Sequence, residues 1–336
     1  MLNSAFDRPF RIDGQIIESA ARFGYSFLGE HQRESAVLLH EAELAIYELG
    51  RGGVQHWSPY TLGLDQRART RIELTQELRR ALQEHQFELH FQPKVRLRTG
   101  EMIGCEALVR WRHPDRGLQS PATFIPAAEQ SQLIGPLGEW VLFEACRQFR
   151  EWEDAGLDLV RASVNVSMVQ LRLGGFADTV QEAIDKYGIL PDRLTLEITE
   201  SVFEHESDLL QTQLREIHDL GVRLSLDDFG TGYSSLLYLQ RYSFDEIKID
   251  KGFVDGVLDD DYSQNIVTTV LGIAGVLKAD AVAEGVETEA VAQALLAMGC
   301  SLGQGFYYSK PLEAKDFRWL LSTQARLPLG EAEGKT

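Results

Sequence analysis

Across residues 87–321 the chain repeats one pattern: a short segment of alternating apolar and polar residues, a turn, then a longer stretch with apolar residues at helical spacing. The strand-like segments are FELHFQPKVRL, EMIGCEALVRW, RASVNVS, RLTLEITE, VRLSLDDF, DEIKID, ADAVAEG and SLGQGF. The first two flank Thr99-Gly100 and read as an antiparallel hairpin. A helix follows them through Leu137, Val141, Ala145 and Phe149. Further helices are predicted near 176–187, 208–220, 234–241, 265–277, 287–298 and 314–321, each after a strand. Two hairpin strands and six strand–helix units make eight strands, which favours a closed TIM-like (β/α)8 barrel with one reversed strand. An open doubly wound sheet is the alternative, but no G-x-G-x-x-G follows a strand to support it.

Alternation then separates the two faces of each strand. Cys105, Ala107, Val109 and Trp111 oppose Glu106, Leu108 and Arg110. Val164 and Val166 oppose Ser163, Asn165 and Ser167, and Leu194, Leu196 and Ile198 oppose Thr195, Glu197 and Thr199. Leu224 and Leu226 oppose Ser225 and Asp227. For any one strand the polar row could be a solvated face. Several consecutive parallel strands covered by helices have no wet outer face, so these rows should point into the barrel near its C-terminal mouth. Unpaired carboxylates buried there would each cost several kcal/mol, and metal ions are the natural compensation. Glu106, Asn165, Glu197, Asp227 and Asp228 form an oxygen-only donor set, suited to Mg2+ or Mn2+ rather than zinc or copper. Adjacent Asp227 and Asp228 suggest a pair of metals, an arrangement that serves in-line phosphoryl displacement. The histidines show no pair at ligand spacing and receive no role, and the Trp and Phe residues read as core.

Composition bounds the partners. An excess of 51 acidic over 33 basic residues gives a net charge of −18, which argues against nucleic-acid polymers and anionic membranes. An anionic substrate would then need divalent metal to reverse the local field. No apolar run is long enough to span a bilayer and no secretory signal opens the chain, so no direct membrane contact is expected. Cys105, Cys146 and Cys300 lack metal-binding or redox spacing and read as reduced, buried thiols of a cytoplasmic protein.

Glu106-Ala107-Leu108, with LTLEITES, LSLDDFGTGYSSL, EIKID, AEGVET and GQGFYYSKP in the same order, resembles the EAL domains over residues 82–321. That resemblance implies metal-dependent hydrolysis of cyclic di-GMP to linear pGpG in bacterial second-messenger signalling, by a homodimer. It assigns one metal to Glu106, Asn165, Glu197 and Asp227, with Asp227 bridging to a second ion that Asp228 helps to hold. Lys248 and Glu284 would position and deprotonate the attacking water. Gln92, Leu108, Arg110 and Gln304 would line the substrate site, while Glu200 and Glu287 would couple the DDFGTGYSSL loop to the dimer interface. A catalytically silent cyclic di-GMP receptor and a protein-interaction module are the alternatives.

Residues 1–62 do not follow the barrel rhythm. RPFRIDGQIIESAARFGYSFL, followed by LLHEAELAIYELGRGGVQHW, is similar to the final third of a GGDEF domain and includes a helix over about 35–50. The signature loop of the cyclase is absent, so the resemblance implies a small α+β remnant without cyclase activity; an independent small helical cap is the alternative. The expected organisation is remnant 1–62, connecting helix 63–85, EAL barrel 86–323 and a flexible tail 324–336.

Overall fold

The structure, a computed structural model, describes residues 10–12, 15–17, 23–27, 35–48, 57–61, 64–157, 161–200, 207–230, 242–323 and 326–328. The chain forms two compact units, Met1–Arg80 and Ala81–Thr336. In the first, β1 (Phe10–Ile12) pairs antiparallel with β2 (Gln15–Ile17), and β3 (Phe23–Tyr25) pairs parallel with β4 (Trp57–Pro59). Helix α1 (Ser35–Glu48) lies so close to β3 that a Cβ on Gly24 would fall 2.0 Å from the Ala42 carbonyl. Helix α2 spans Leu64–Gln83, across the boundary of the two units.

The second unit is a closed barrel. Its strands are β5 (Phe87–Arg96), β6 (Met102–His113), β8 (Ala162–Asn165), β9 (Leu194–Thr199), β10 (Arg223–Phe229), β11 (Glu246–Ile249), β12 (Asp280–Ala283) and β13 (Leu302–Gly303). They run in the order β5-β13-β12-β11-β10-β9-β8-β6, and β6 pairs back onto β5 to close the ring. All pairings are parallel except the two made by β5, so the first strand of the hairpin is the reversed one. Short strands β7 (Gly117–Gln119) and β14 (Leu312–Glu313) extend β6 and β5.

Both faces of the parallel strands are buried: Leu196, Ile198, Leu224 and Leu226 in the apolar rows, Thr195, Glu197 and Ser225 in the polar rows. A solvated strand face is thereby excluded. The polar rows meet inside the ring, where Lys94 of β5 reaches Glu197 of β9 and Glu246 of β11 across the interior.

Helix boundaries are set by local caps. Ser207 caps the helix Asp208–Asp219 and Thr288 caps Glu289–Ala297. Asp260 accepts from the amides of Tyr262 and Ser263, so its helix, Asp261–Leu277, begins four residues before the predicted start at 265. The predicted helix at 234–241 lies outside the described residues. Helices Pro121–Gln130, Met168–Leu173 and Lys251–Asp255 were not anticipated; each is short or lies in a connection.

Phe91, Trp152 and Phe317 pack together with ring centroids 4.7–5.8 Å apart, and Trp111 and Phe124 sit 5.8 Å apart beside Phe87. Each such buried side chain stabilises the fold by about 1.5–3 kcal/mol relative to an exposed one. The tail was expected to be flexible from 324, yet Leu327 is buried and its amide donates to the Gly100 carbonyl at the hairpin turn. The three cysteines are buried and unpaired, and burial pushes the Cys146 thiol up to about 12. Among the described residues no helix is long and apolar enough to cross a membrane.

Candidate active site

Strand register places the site. Glu106 of β6 is level with Ser163 of β8, Asn165 with Glu197 of β9, and Glu197 with Ser225 of β10. Asp227 stands two residues further along β10. Strict alternation would send its neighbour, Asp228, to the helix side. Instead, the pairing of β10 with β11 slips by one residue: Leu226 faces Ile247, but Phe229 faces Ile249. This bulge, with Asp228 in the left-handed region at φ 56°, turns both aspartates toward the site. Asp227, Asp228 and Glu284 each offer an oxygen within 4.8 Å of the others.

Glu284 and Gln304 follow the last two parallel strands, where close backbone packing joins their loops. The Val286 amide donates to the Gln304 carbonyl at 3.0 Å, and the Gln304 amide to the Ala283 carbonyl at 2.8 Å. Between them Gly305 leaves no room for a side chain, since its Cβ would lie 2.1 Å from the Val286 carbonyl oxygen.

A hydrogen-bonded cluster connects these groups. Glu106 accepts from Asn165 Nδ2 at 2.6 Å and from Gln304 Nε2 at 2.5 Å, and Gln304 also donates to Gln92 Oε1 at 3.0 Å. The Lys248 ammonium, 1 % exposed, lies 2.7 Å from Glu197, 3.2 Å from Asp227, 2.6 Å from Glu284 and 3.6 Å from Glu106. Burial alone would lower its pKa, but these carboxylates outweigh that and hold it well above the ordinary lysine value. Burial would raise Glu197, yet Lys248 and Lys94 bring it down to about 2. Burial pushes Glu284 up to about 8, with Asp227 and Glu106 adding to the shift and Lys248 opposing it. Burial also raises Glu106 and Asp227, both reinforced by Glu197, and Asp228, reinforced by Asp250.

The remaining predicted residues lie at the margin. Leu108 and Arg110 are half-buried further along β6; Arg110 donates to the Val109 carbonyl at 2.9 Å. Glu200 accepts from the Gly230 amide at 3.0 Å, at the start of the DDFGTGYSSL loop, whose residues 231–236 lie outside the described residues. Glu287 pairs with Lys251 on the surface. Lys94 and Glu246 also belong to the interior network, beside Ser225 of the predicted polar row, and were not among the expected site residues. The signal was available: Gln92 and Lys94 alternate along β5 as Glu246 and Lys248 do along β11. His90, given no role, lies with Glu88 and Glu313, but Glu88 is already held by both Arg112 nitrogens at 2.7 and 2.6 Å.

The donor chemistry fits a divalent metal. Every donor is an oxygen, the carboxylates outnumber the buried cations, and Gln304 Oε1 is buried without a hydrogen-bond partner beside Glu106. The family model for the EAL domain matches residues 75–311. The chain belongs to the EAL family. Among EAL relatives, it is 38 % identical over 309 residues to the bifunctional diguanylate cyclase/cyclic di-GMP phosphodiesterase MucR of Pseudomonas aeruginosa, covering 92 % of this chain and 45 % of MucR. To the cyclic di-GMP phosphodiesterase NbdA of the same organism it is 37 % identical over 307 residues, covering 90 % of this chain and 39 % of NbdA. The chain thus spans less than half the length of either relative. The solved EAL structure of the MucR phosphodiesterase in complex with c-di-GMP superposes with a TM-score of 0.70 at 44 % identity, covering 73 % of this chain and 99 % of that one.

Proposed function

We propose that this EAL barrel hydrolyses cyclic di-GMP to the linear dinucleotide pGpG, with Mg2+ or Mn2+ held by Glu106, Asn165, Glu197, Asp227 and Asp228. The observation that carries this reading is the convergence of Asp227, Asp228 and Glu284, within 4.8 Å, beside the Glu106–Asn165–Glu197 row at the barrel mouth. The similarity to MucR and NbdA, both cyclic di-GMP phosphodiesterases, supports the substrate.

Bound there, divalent cations would neutralise the carboxylates, make a water a better nucleophile and shield the phosphate. The chain's own residues supply the rest. Lys248, kept charged by its carboxylates, holds a proton and cannot accept one; its task is to orient the water and Glu284. Glu284, 2.6 Å from the Lys248 ammonium, accepts the proton in its ionised form as the water oxygen bonds to phosphorus; one ring P–O bond breaks, and the released ring oxygen takes up a proton from solvent. Gln304 and Gln92 form a hydrogen-bonded pair beside Glu106, with Arg110 available to a phosphate oxygen and Leu108 to the apolar face of a base.

The match to bifunctional MucR across 92 % of the chain supports reading the first unit as the end of a GGDEF domain. Glu200 and Glu287 support loop coupling in a homodimer, which light scattering would test. The buried free thiols support a reducing, cytoplasmic setting.

Incubation with cyclic di-GMP and Mg2+ or Mn2+, with chromatography of the products, should yield pGpG only when metal is present. The Glu106→Ala variant should lose more than about 100-fold in turnover while keeping its melting temperature, because the change removes a ligand and relieves like-charge repulsion. Tight nucleotide binding with no product would make the chain a receptor instead.

A further inference from the structure

Below the carboxylates of the mouth lies a second charged layer that the proposed chemistry does not use. Lys94 projects inward from β5, the only strand antiparallel to both its barrel neighbours, and its side chain is 4 % exposed. Its ammonium lies 2.8 Å from Glu197 Oε1 on β9 and 2.6 Å from Glu246 Oε1 on β11. Those strands flank β10, which carries Asp227 and Asp228. Glu197, Ser225 and Glu246 are level with one another in the register of β9, β10 and β11, and Ser225 donates to Glu246 Oε1 at 2.9 Å. The three strands that carry most of the carboxylates are thus tied from beneath by one cation.

The two oxygens of Glu197 are divided between the layers. Oε1 is committed downward to Lys94, and Oε2 faces the mouth, 2.7 Å from Lys248. A carboxylate so held has one rotamer and one oxygen left for the site. Without Lys94, Glu197 and Glu246, which share its ammonium, would face each other across the space it fills, and Glu197 would turn away from the site. That turn removes a ligand.

We infer that Lys94 is a positioning residue for the metal site: anchored by Glu246, which Ser225 holds in turn, it fixes Glu197 so that Oε2 is presented to a divalent cation. This rests on the reading of Glu197 as a metal ligand. Partners of this kind, one step behind a ligand, typically govern metal affinity by about 10–100-fold.

The test separates positioning from simple charge balance. The double variant Lys94→Met/Glu246→Leu removes the cation together with the carboxylate it would strand, so the lower layer stays neutral and the fold is kept. Mn2+ binding to the chelator-treated full chain, followed by electron paramagnetic resonance without substrate, should weaken by about 10-fold or more. Raising Mn2+ should restore turnover on cyclic di-GMP, and circular dichroism of the metal-free variant should show it folded, which separates lost metal affinity from a destabilised barrel. Should that pair fold poorly, Lys94→Gln/Glu246→Gln keeps a neutral hydrogen-bonding pair and should show the same loss. Wild-type Mn2+ affinity in either folded variant would overturn the inference while leaving the metal reading intact. A wild-type chain that takes up no Mn2+ would overturn the metal reading, and the inference with it.

Discussion

At the residue scale the site is governed by ionisable groups too crowded to keep their ordinary charges. Glu284 shows the consequence most directly, because burial raises it from an ordinary 4.5 to about 8. Between those two values the folded chain holds a proton that the unfolded chain has released, so stability must fall as pH rises. The contribution is fully present below about 4.5 and is lost as pH passes through about 8. Glu106 and Asp227 are raised as well and act in the same direction, while Glu197, lowered to about 2, titrates outside that window. The chelator-treated protein should therefore melt at lower temperature as buffer pH is raised from about 5 to about 8, and Glu284→Gln should flatten the slope. Calorimetry across that range is the check; a melting temperature that climbs with pH would contradict the account. Divalent metal should restore the loss, since it binds only the ionised carboxylates.

At the scale of single elements, the decisive feature is the bulge in β10. A regular strand would give the barrel Ser225 and Asp227 and turn Asp228 to the helices; the extra residue before Phe229 gives it both aspartates. The cost is a non-glycine residue at φ 56°, which Asp and Asn tolerate better than other side chains. Asp228→Asn should therefore fold like the wild type while losing one metal site. Asp228→Val, forced into the same left-handed conformation, should cost about 1–2 kcal/mol. Chemical denaturation of the two variants, alongside Mn2+ stoichiometry, distinguishes the charge from the backbone. Equal stability for the two would mean that the bulge relaxes when its residue changes. The neighbouring loops obey a similar constraint, with Gly305 admitting the Val286 backbone so that the loops carrying Glu284 and Gln304 pack backbone to backbone.

At the scale of the whole molecule, Met1–Arg80 and Ala81–Thr336 are separate compact units, and every residue assigned to the chemistry belongs to the second. A fragment covering residues 81–336 should melt cooperatively and hydrolyse cyclic di-GMP. Ending that fragment at Thr323 should destabilise it by about 2 kcal/mol or more, because Leu327 no longer covers the Gly100 turn. Thermal melts of both fragments test this, and equal melting temperatures would show that the tail does not stabilise the barrel.

Sequence alone determined the eight-strand alternation, the polar rows on successive strands and the oxygen-only character of the donors. Each of these follows from local periodicity and residue chemistry, which a linear reading can register. Only the tertiary structure decided which hairpin strand is reversed, because that depends on β13, a partner from the far end of the chain, pairing antiparallel with β5. Only the structure showed that Asp228 joins Asp227 through a bulge, since a slip in pairing depends on the neighbouring strand rather than on the aspartates themselves. The same holds for Lys94. Its alternation with Gln92 is visible along the chain, but its partners, Glu197 and Glu246, become neighbours only when the barrel closes and brings the facing strands within reach of one ammonium.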